Sequence, residues 1–138
     1  MSKKLKIPQP IAAFIEATNE QNTDKFLATL TDSAVVTDEG QDYGGIMAIK
    51  EWSDEKYIGA KVTLDVADVV RRNGKTIVTA AIDGNFDKTG LPDPFYMDLH
   101  FTVEDDKIAA LSFKLPGESR KRERFADIFL AVFKTQLM

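Results

Sequence analysis

The feature that most constrains the fold of this chain is a change of hydrophobic period at Gly59. Before it, apolar residues recur every three to four positions. Ile7, Ile11, Phe14, Ile15 and Thr18 share one helical face. Pro8 or Pro10 suits the first turn of that helix, where a missing N–H costs nothing. Asn19 to Thr23 is a polar break, and Asn22 or Thr23 can cap a second short helix, Asp24 to Leu30. Thr31-Asp32-Ser33 reads as a turn, Ala34 to Asp38 as a strand, and Gly40, Gly44 and Gly45 as a loop. Ile46 to about Tyr57 forms a third helix with Ile49 and Trp52 inward.

After Gly59 the period becomes two. Val62, Leu64 and Val66 alternate with Lys61, Thr63 and Asp65, the pattern of a half-buried strand. Asn73-Gly74 is a strong hairpin turn, and Thr76 to Phe86 supplies the partner strand. Asp87 to Pro94 is a loop. Phe95 to Glu104 and Lys107 to Leu115 are two further strands around the Asp105-Asp106 turn, and Pro116-Gly117 ends the sheet. Helices first and a strand meander second predict an α+β domain, with three N-terminal helices packed on one face of an antiparallel sheet. A last helix is expected within residues 118–138. Its stripe of Phe125, Ile128, Phe129, Val132, Phe133 and Leu137 follows a basic start at Arg120, Lys121, Arg122 and Arg124. That helix either closes the open end of the domain or packs on a second subunit, and the basic cluster is either solvated or paired with acids such as Asp65 and Asp68.

With 138 residues and no linker-like tract, residues 1–138 form one domain. Cys is absent, so disulfides and thiolate metal sites are excluded. His100 is the only imidazole, which leaves zinc without its usual ligands. The net charge of −4 argues against a nucleic-acid partner. The lysine-bearing start, MSKKLKIPQP, lacks an apolar signal stretch, and no run approaches the ~20 apolar residues of a membrane span. A cytoplasmic protein with no membrane partner is expected. There is no phosphate-binding Gly loop, dinucleotide fingerprint or HExxH motif, so no cofactor and no metal are expected.

Asp38 is the candidate for chemistry. It ends a β-branched run, Val35-Val36-Thr37, and precedes a Gly-rich turn, where a side chain can project into a cleft. Carboxylates at apolar cavity mouths can move a proton beside a carbonyl. The plain alternative is a solvated acid that shapes the loop. Phe14, Trp52, Tyr57, Phe86, Met97, Leu99, Phe101 and Phe113 are candidates to line an apolar, ligand-sized cavity of ~300–1,000 Å³. For each of these, ordinary core packing is the competing assignment.

Three stretches carry a resemblance: Thr37 to Trp52 (TDEGQDYGGIMAIKEW), Asp83-Gly84-Asn85-Phe86, and His100 to Ile108 (HFTVEDDKI). They resemble the nuclear transport factor 2-like superfamily, and within it the SnoaL-like branch of small polyketide cyclases and ketosteroid isomerase relatives. The resemblance covers about residues 8 to 115. It implies a cystatin-like cone, with three helices on a curved sheet and a pocket for small apolar molecules; a homodimer is expected as well. Asp106 stands where the family usually has a turn glycine.

Asp38 aligns without gaps on the general base of the isomerase relatives. Their oxyanion hole uses a Tyr and a protonated Asp. The Tyr position is Phe14 here, and losing one such donor costs about 2.7–4 kcal/mol of transition-state stabilisation. An ungapped match puts Asp98 on the second acid. Strand parity disagrees, because Phe95, Met97, Leu99, Phe101 and Val103 make one apolar face, leaving Asp98 and His100 outward. On parity, Met97 takes the acid's place. The expected function is binding of a small hydrophobic ligand; the alternative is a cofactor-free isomerase, cyclase or dehydratase with Asp38 as base.

Overall fold

The computed structural model describes residues 7–116. The expected C-terminal helix, with its apolar stripe and basic start, lies outside the described residues. Three helices, α1 (Gln9–Asn19), α2 (Thr23–Ala28) and α3 (Ile46–Lys56), accompany six strands. These are β1 (Leu30–Asp38), β2 (Gln41–Gly44), β3 (Thr63–Arg72), β4 (Lys75–Asp83), β5 (Tyr96–Glu104) and β6 (Lys107–Lys114). The α+β class is therefore observed. No helix among the described residues is long and apolar enough to cross a membrane.

The sheet runs β2-β1-β6-β5-β4-β3. It is mixed, not wholly antiparallel as expected: β1 lies parallel to β6, with Val35 opposite Ala110 and Thr37 opposite Ser112. Hairpin geometry sets the direction of neighbouring strands only when a short turn joins them. β1 and β6 are the first and last strands among the described residues, so the long path between them decides their direction.

Two local expectations change with β1. Leu30 does not end the second helix but begins the strand, and Thr31-Asp32-Ser33 continues it. The register slips between Leu30 and Val35, so the polar triple is taken up as an irregularity and not as a turn. The Gly40–Gly45 loop is a hairpin, its turn made by Glu39 and Gly40 at φ 54° and 77°. Asn73 and Gly74, at φ 53° and 78°, make the turn that their sequence requires. β4 was expected to reach Phe86 but stops at Asp83. There the chain peels off the sheet, and the Asn85 N–H donates to the Ala60 carbonyl at 2.6 Å.

The core lies between the helices and the apolar sheet face. Phe14 of α1 is fully buried, 5.3 Å from the Phe26 ring and 5.3 Å edge-on to Phe101. Leu99, Phe101, Ile108 and Leu111 face it from β5 and β6. Asn19 ties α1 to the edge strand β3. Its amide donates to the Leu64 carbonyl at 3.0 Å and accepts from the Leu64 N–H at 2.7 Å, copying a strand partner.

Parity holds on β5. Leu99 and Phe101 enter the core, and Asp98 sits on the opposite face. Asp98 is nevertheless fully buried, which "outward" did not anticipate. Its carboxylate accepts from the Thr79 hydroxyl on β4, so the desolvated acid has a partner.

Candidate functional site

Where β1 ends, α3 ends and the 84–95 loop begins, the described residues line an open cleft of about 820 Å³. Each element contributes for a local reason. β1 delivers Asp38 as its last paired residue, opposite Gln41. α3 carries Trp52 on the buried stripe that also holds Ile49. Tyr57 caps the end of α3, and its N–H closes on the Ser53 carbonyl. Gly59 then lets the chain pass close to the helix end: a Cβ there would lie 1.7 Å from the Asp54 carbonyl oxygen. The peel-off after Asp83 brings Asn85 and Phe86 to the rim, and Met97 and Phe113 stand on the sheet wall.

Of the candidate residues, Asp38, Trp52, Tyr57, Phe86, Met97 and Phe113 come together around this cleft. Phe14, Leu99 and Phe101 do not; all three are fully buried core residues on the inner side of the aromatic cluster. Asp98 and His100 are also away from it. Val62, Ile82 and Phe95 belong to the wall as well. Sequence reasoning did not single them out for the site, although Val62 and Phe95 already fell on inward-facing strand positions.

The polar groups of the inner wall are arranged by two hydrogen bonds. Trp52 Nε1–H donates to Asp38 Oδ2 at 3.0 Å. An indole nitrogen can only donate, so Asp38 is the acceptor in this pair. The second bond joins Tyr57 and Thr18 at 2.9 Å. The Thr18 hydroxyl gives its one proton to the Phe14 carbonyl at 2.9 Å. Thr18 Oγ must therefore accept, and the Tyr57 hydroxyl donates. Burial pushes the Tyr57 phenol well above its ordinary range; the Thr18 bond opposes this and the nearby Asp38 adds to it.

Aromatic packing holds both groups still. Trp52 and Tyr57 stack with centroids 4.9 Å apart and planes 17° from parallel. Phe113 sits 6.0 Å from Trp52 and 5.9 Å from Tyr57, and Tyr43 lies 6.0 Å from Trp52 on the β2 side. Trp52 and Tyr57 are almost completely buried, while Phe86, Met97 and Phe113 are half-buried and offer apolar surface to the cleft. Among the described residues no group of three or more His, Cys, Asp or Glu side chains is placed to hold a metal ion.

The sequence profile of the SnoaL-like domain matches residues 11–111. A search among curated proteins gives no match. Solved structures resemble the chain closely in fold. A candidate polyketide cyclase from Sinorhizobium meliloti superposes with a TM-score of 0.69 at 26% identity, covering 78% of this chain and 95% of that one. A protein of ketosteroid isomerase-like fold from Catenulispora acidiphila, in complex with trimethylamine, gives 0.61 at 17% identity, over 78% of this chain and 85% of that one. The orange carotenoid protein of Anabaena (Nostoc) sp., binding canthaxanthin, gives 0.67 at 14% identity, over 88% of this chain and 41% of that one. The last two share the fold and carry no closer kinship. With the profile spanning most of its length, the chain belongs to the SnoaL-like domain family.

Proposed function

We propose that this domain binds a small hydrophobic ligand in the cleft beside Asp38. The observation that carries the reading is the wall itself. A volume of about 820 Å³ is bounded by Trp52, Phe86, Met97 and Phe113 with a single inner carboxylate, the usual make-up of a small-molecule site. The fold's use elsewhere is consistent with this: canthaxanthin in the Anabaena protein and trimethylamine in the Catenulispora protein are both small ligands. Native mass spectrometry of freshly purified protein tests it. The expected result is a retained organic molecule, or uptake of an added one, that is lost when Phe86 and Met97 are both replaced by charged residues. A protein that takes up no apolar probe ends the reading.

The second reading is an enzyme, a cofactor-free isomerase, cyclase or dehydratase in which Asp38 moves a proton. The Trp52 bond favours it, because it fixes the carboxylate on the cleft wall. The kinship with a candidate polyketide cyclase points the same way. Enolising a carbonyl also requires a donor for the developing oxyanion. Phe14 has no hydroxyl, and the Trp52 and Tyr57 protons are already committed. Binding is therefore the better-supported function. The domain is also proposed to act as a homodimer, which sedimentation of the full chain checks: a monomer across the micromolar range rejects it.

A further inference from the structure

The inner end of the cleft has an unusual proton inventory. It holds two good hydrogen-bond donors, the Trp52 indole and the Tyr57 hydroxyl, and neither is available. The indole proton goes to Asp38 Oδ2 and the phenol proton to Thr18 Oγ. What remains of this inner group is an acceptor, Asp38. The Trp52 bond uses one carboxylate oxygen of Asp38, and no described residue donates to the other. An ionised carboxylate accepts and never donates. Bonds between such a group and a cationic N–H are roughly twice as strong as neutral ones.

The rim carries the same bias. Glu39, Glu55 and Asp87 stand with Asp38 around the opening, against Lys56 and Lys114. None of the four acids forms an ion pair with a described residue. The excess of negative charge rims an apolar wall, and because Glu39, Glu55 and Asp87 are exposed its pull on a cation is strongest at low salt.

We infer that the ligand is an apolar molecule whose polar end is a protonated amine, seated with its N–H toward Asp38 and its hydrocarbon body against Phe86, Met97 and Phe113. This rests on the cleft being a binding site, and it names the chemical class that site selects. A carbonyl or carboxylate seated against Asp38 would set acceptor against acceptor, which is the costly arrangement.

Three matched probes test it: 4-phenylbutylamine, 4-phenylbutan-1-ol and 4-phenylbutyrate. Binding is followed by the indole and amide NMR signals of the full chain; Trp52 is the only Trp and marks the inner wall. The amine is expected to bind about ten-fold more tightly than the alcohol, with the acid weakest, given the strength of a charge-assisted bond. Asp38→Asn keeps an oxygen for Trp52 but removes the charge, and it should bring amine and alcohol within about two-fold of each other. Raising the salt from about 20 to about 200 mM should weaken the amine alone, as screening requires. Glu55→Gln, at an exposed rim position, should weaken the amine slightly without touching the fold. Equal binding of amine and alcohol, unchanged in Asp38→Asn, overturns the amine assignment and leaves the cleft as a binding site. Binding of none of the three overturns the binding reading as well.

Discussion

The indole N–H of Trp52 and the carboxylate of Asp38, 14 residues apart, meet at 3.0 Å and lock the end of β1 to the middle of α3. Removing the acceptor strands a nearly buried donor, which costs about 1–3 kcal/mol. Asp38→Ala is therefore expected to lose stability by about that amount, while Asp38→Asn, which retains an acceptor oxygen, loses less. Urea denaturation followed by the emission of the single Trp measures both. Equal stability of Asp38→Ala and the parent would mean that the bond is not formed in solution.

The Asn19 side chain makes a two-bond bridge to the backbone of Leu64. Asn19→Ala leaves both Leu64 groups to water and should cost about 1–3 kcal/mol. Hydrogen exchange of the Leu64 amide should quicken well beyond that of the β4–β5 amides. An unchanged Leu64 rate would show that the edge strand is protected by something else.

Phe14 and Phe86 separate core from cleft wall. Phe14→Ala removes a fully buried ring from the centre of the aromatic cluster and should cost about 3–5 kcal/mol. Phe86→Ala removes a half-buried ring and should cost about 1 kcal/mol, near half the transfer value of a fully buried side chain. It should weaken ligand uptake more than it weakens the fold. Comparable destabilisation by the two variants would place Phe86 in the core instead.

Gly59 has no room for a side chain against the Asp54 carbonyl. Gly59→Ala forces the α3 terminus to shift and should cost about 1–3 kcal/mol or more. The shift acts on Tyr57, so the Trp52 emission should change as well. A neutral substitution would show that the helix end can yield freely.

His100 responds to pH with a definite sign. Burial lowers its pKa below the usual 6.5; the positive charge of Lys114 helps, Asp98 opposes, and Lys75 and Arg72 add smaller downward contributions. The folded chain therefore holds fewer protons on this ring than the unfolded chain just below pH 6.5. Its stability contribution is complete above the unfolded pKa and is lost as the pH falls through the folded one. His100→Gln should flatten the decline in melting temperature as the pH falls below about 6.5. An unaltered slope would assign that decline to the carboxylates.

Much of the fold is legible in linear order. The helical stripe through Phe14, the alternation through Leu99 and Phe101, and the Asn73-Gly74 turn all follow from local rules that depend on neighbours a few residues away. β2 and the first half of β1 were not legible. Their polar residues pair only because a partner strand is present, and a partner distant in sequence leaves no local periodicity. Asp98 shows the same limit: alternation gives its face, but its burial depends on Thr79 and on what surrounds β5.

Sequence alone determined which faces are apolar, where the chain must turn, and that Asp38 ends a strand beside a helix bearing Trp52. These are properties of short segments, set by side-chain period and backbone freedom. Only the tertiary structure decided that β1 runs parallel to β6, that Phe14 belongs to the core while Phe86 belongs to a cleft, and that the Trp52 and Tyr57 protons are already spent. Each of these depends on which groups lie within about 3–6 Å across distant parts of the chain, and hydrogen bonds and ring contacts at that range are fixed by packing, not by spacing.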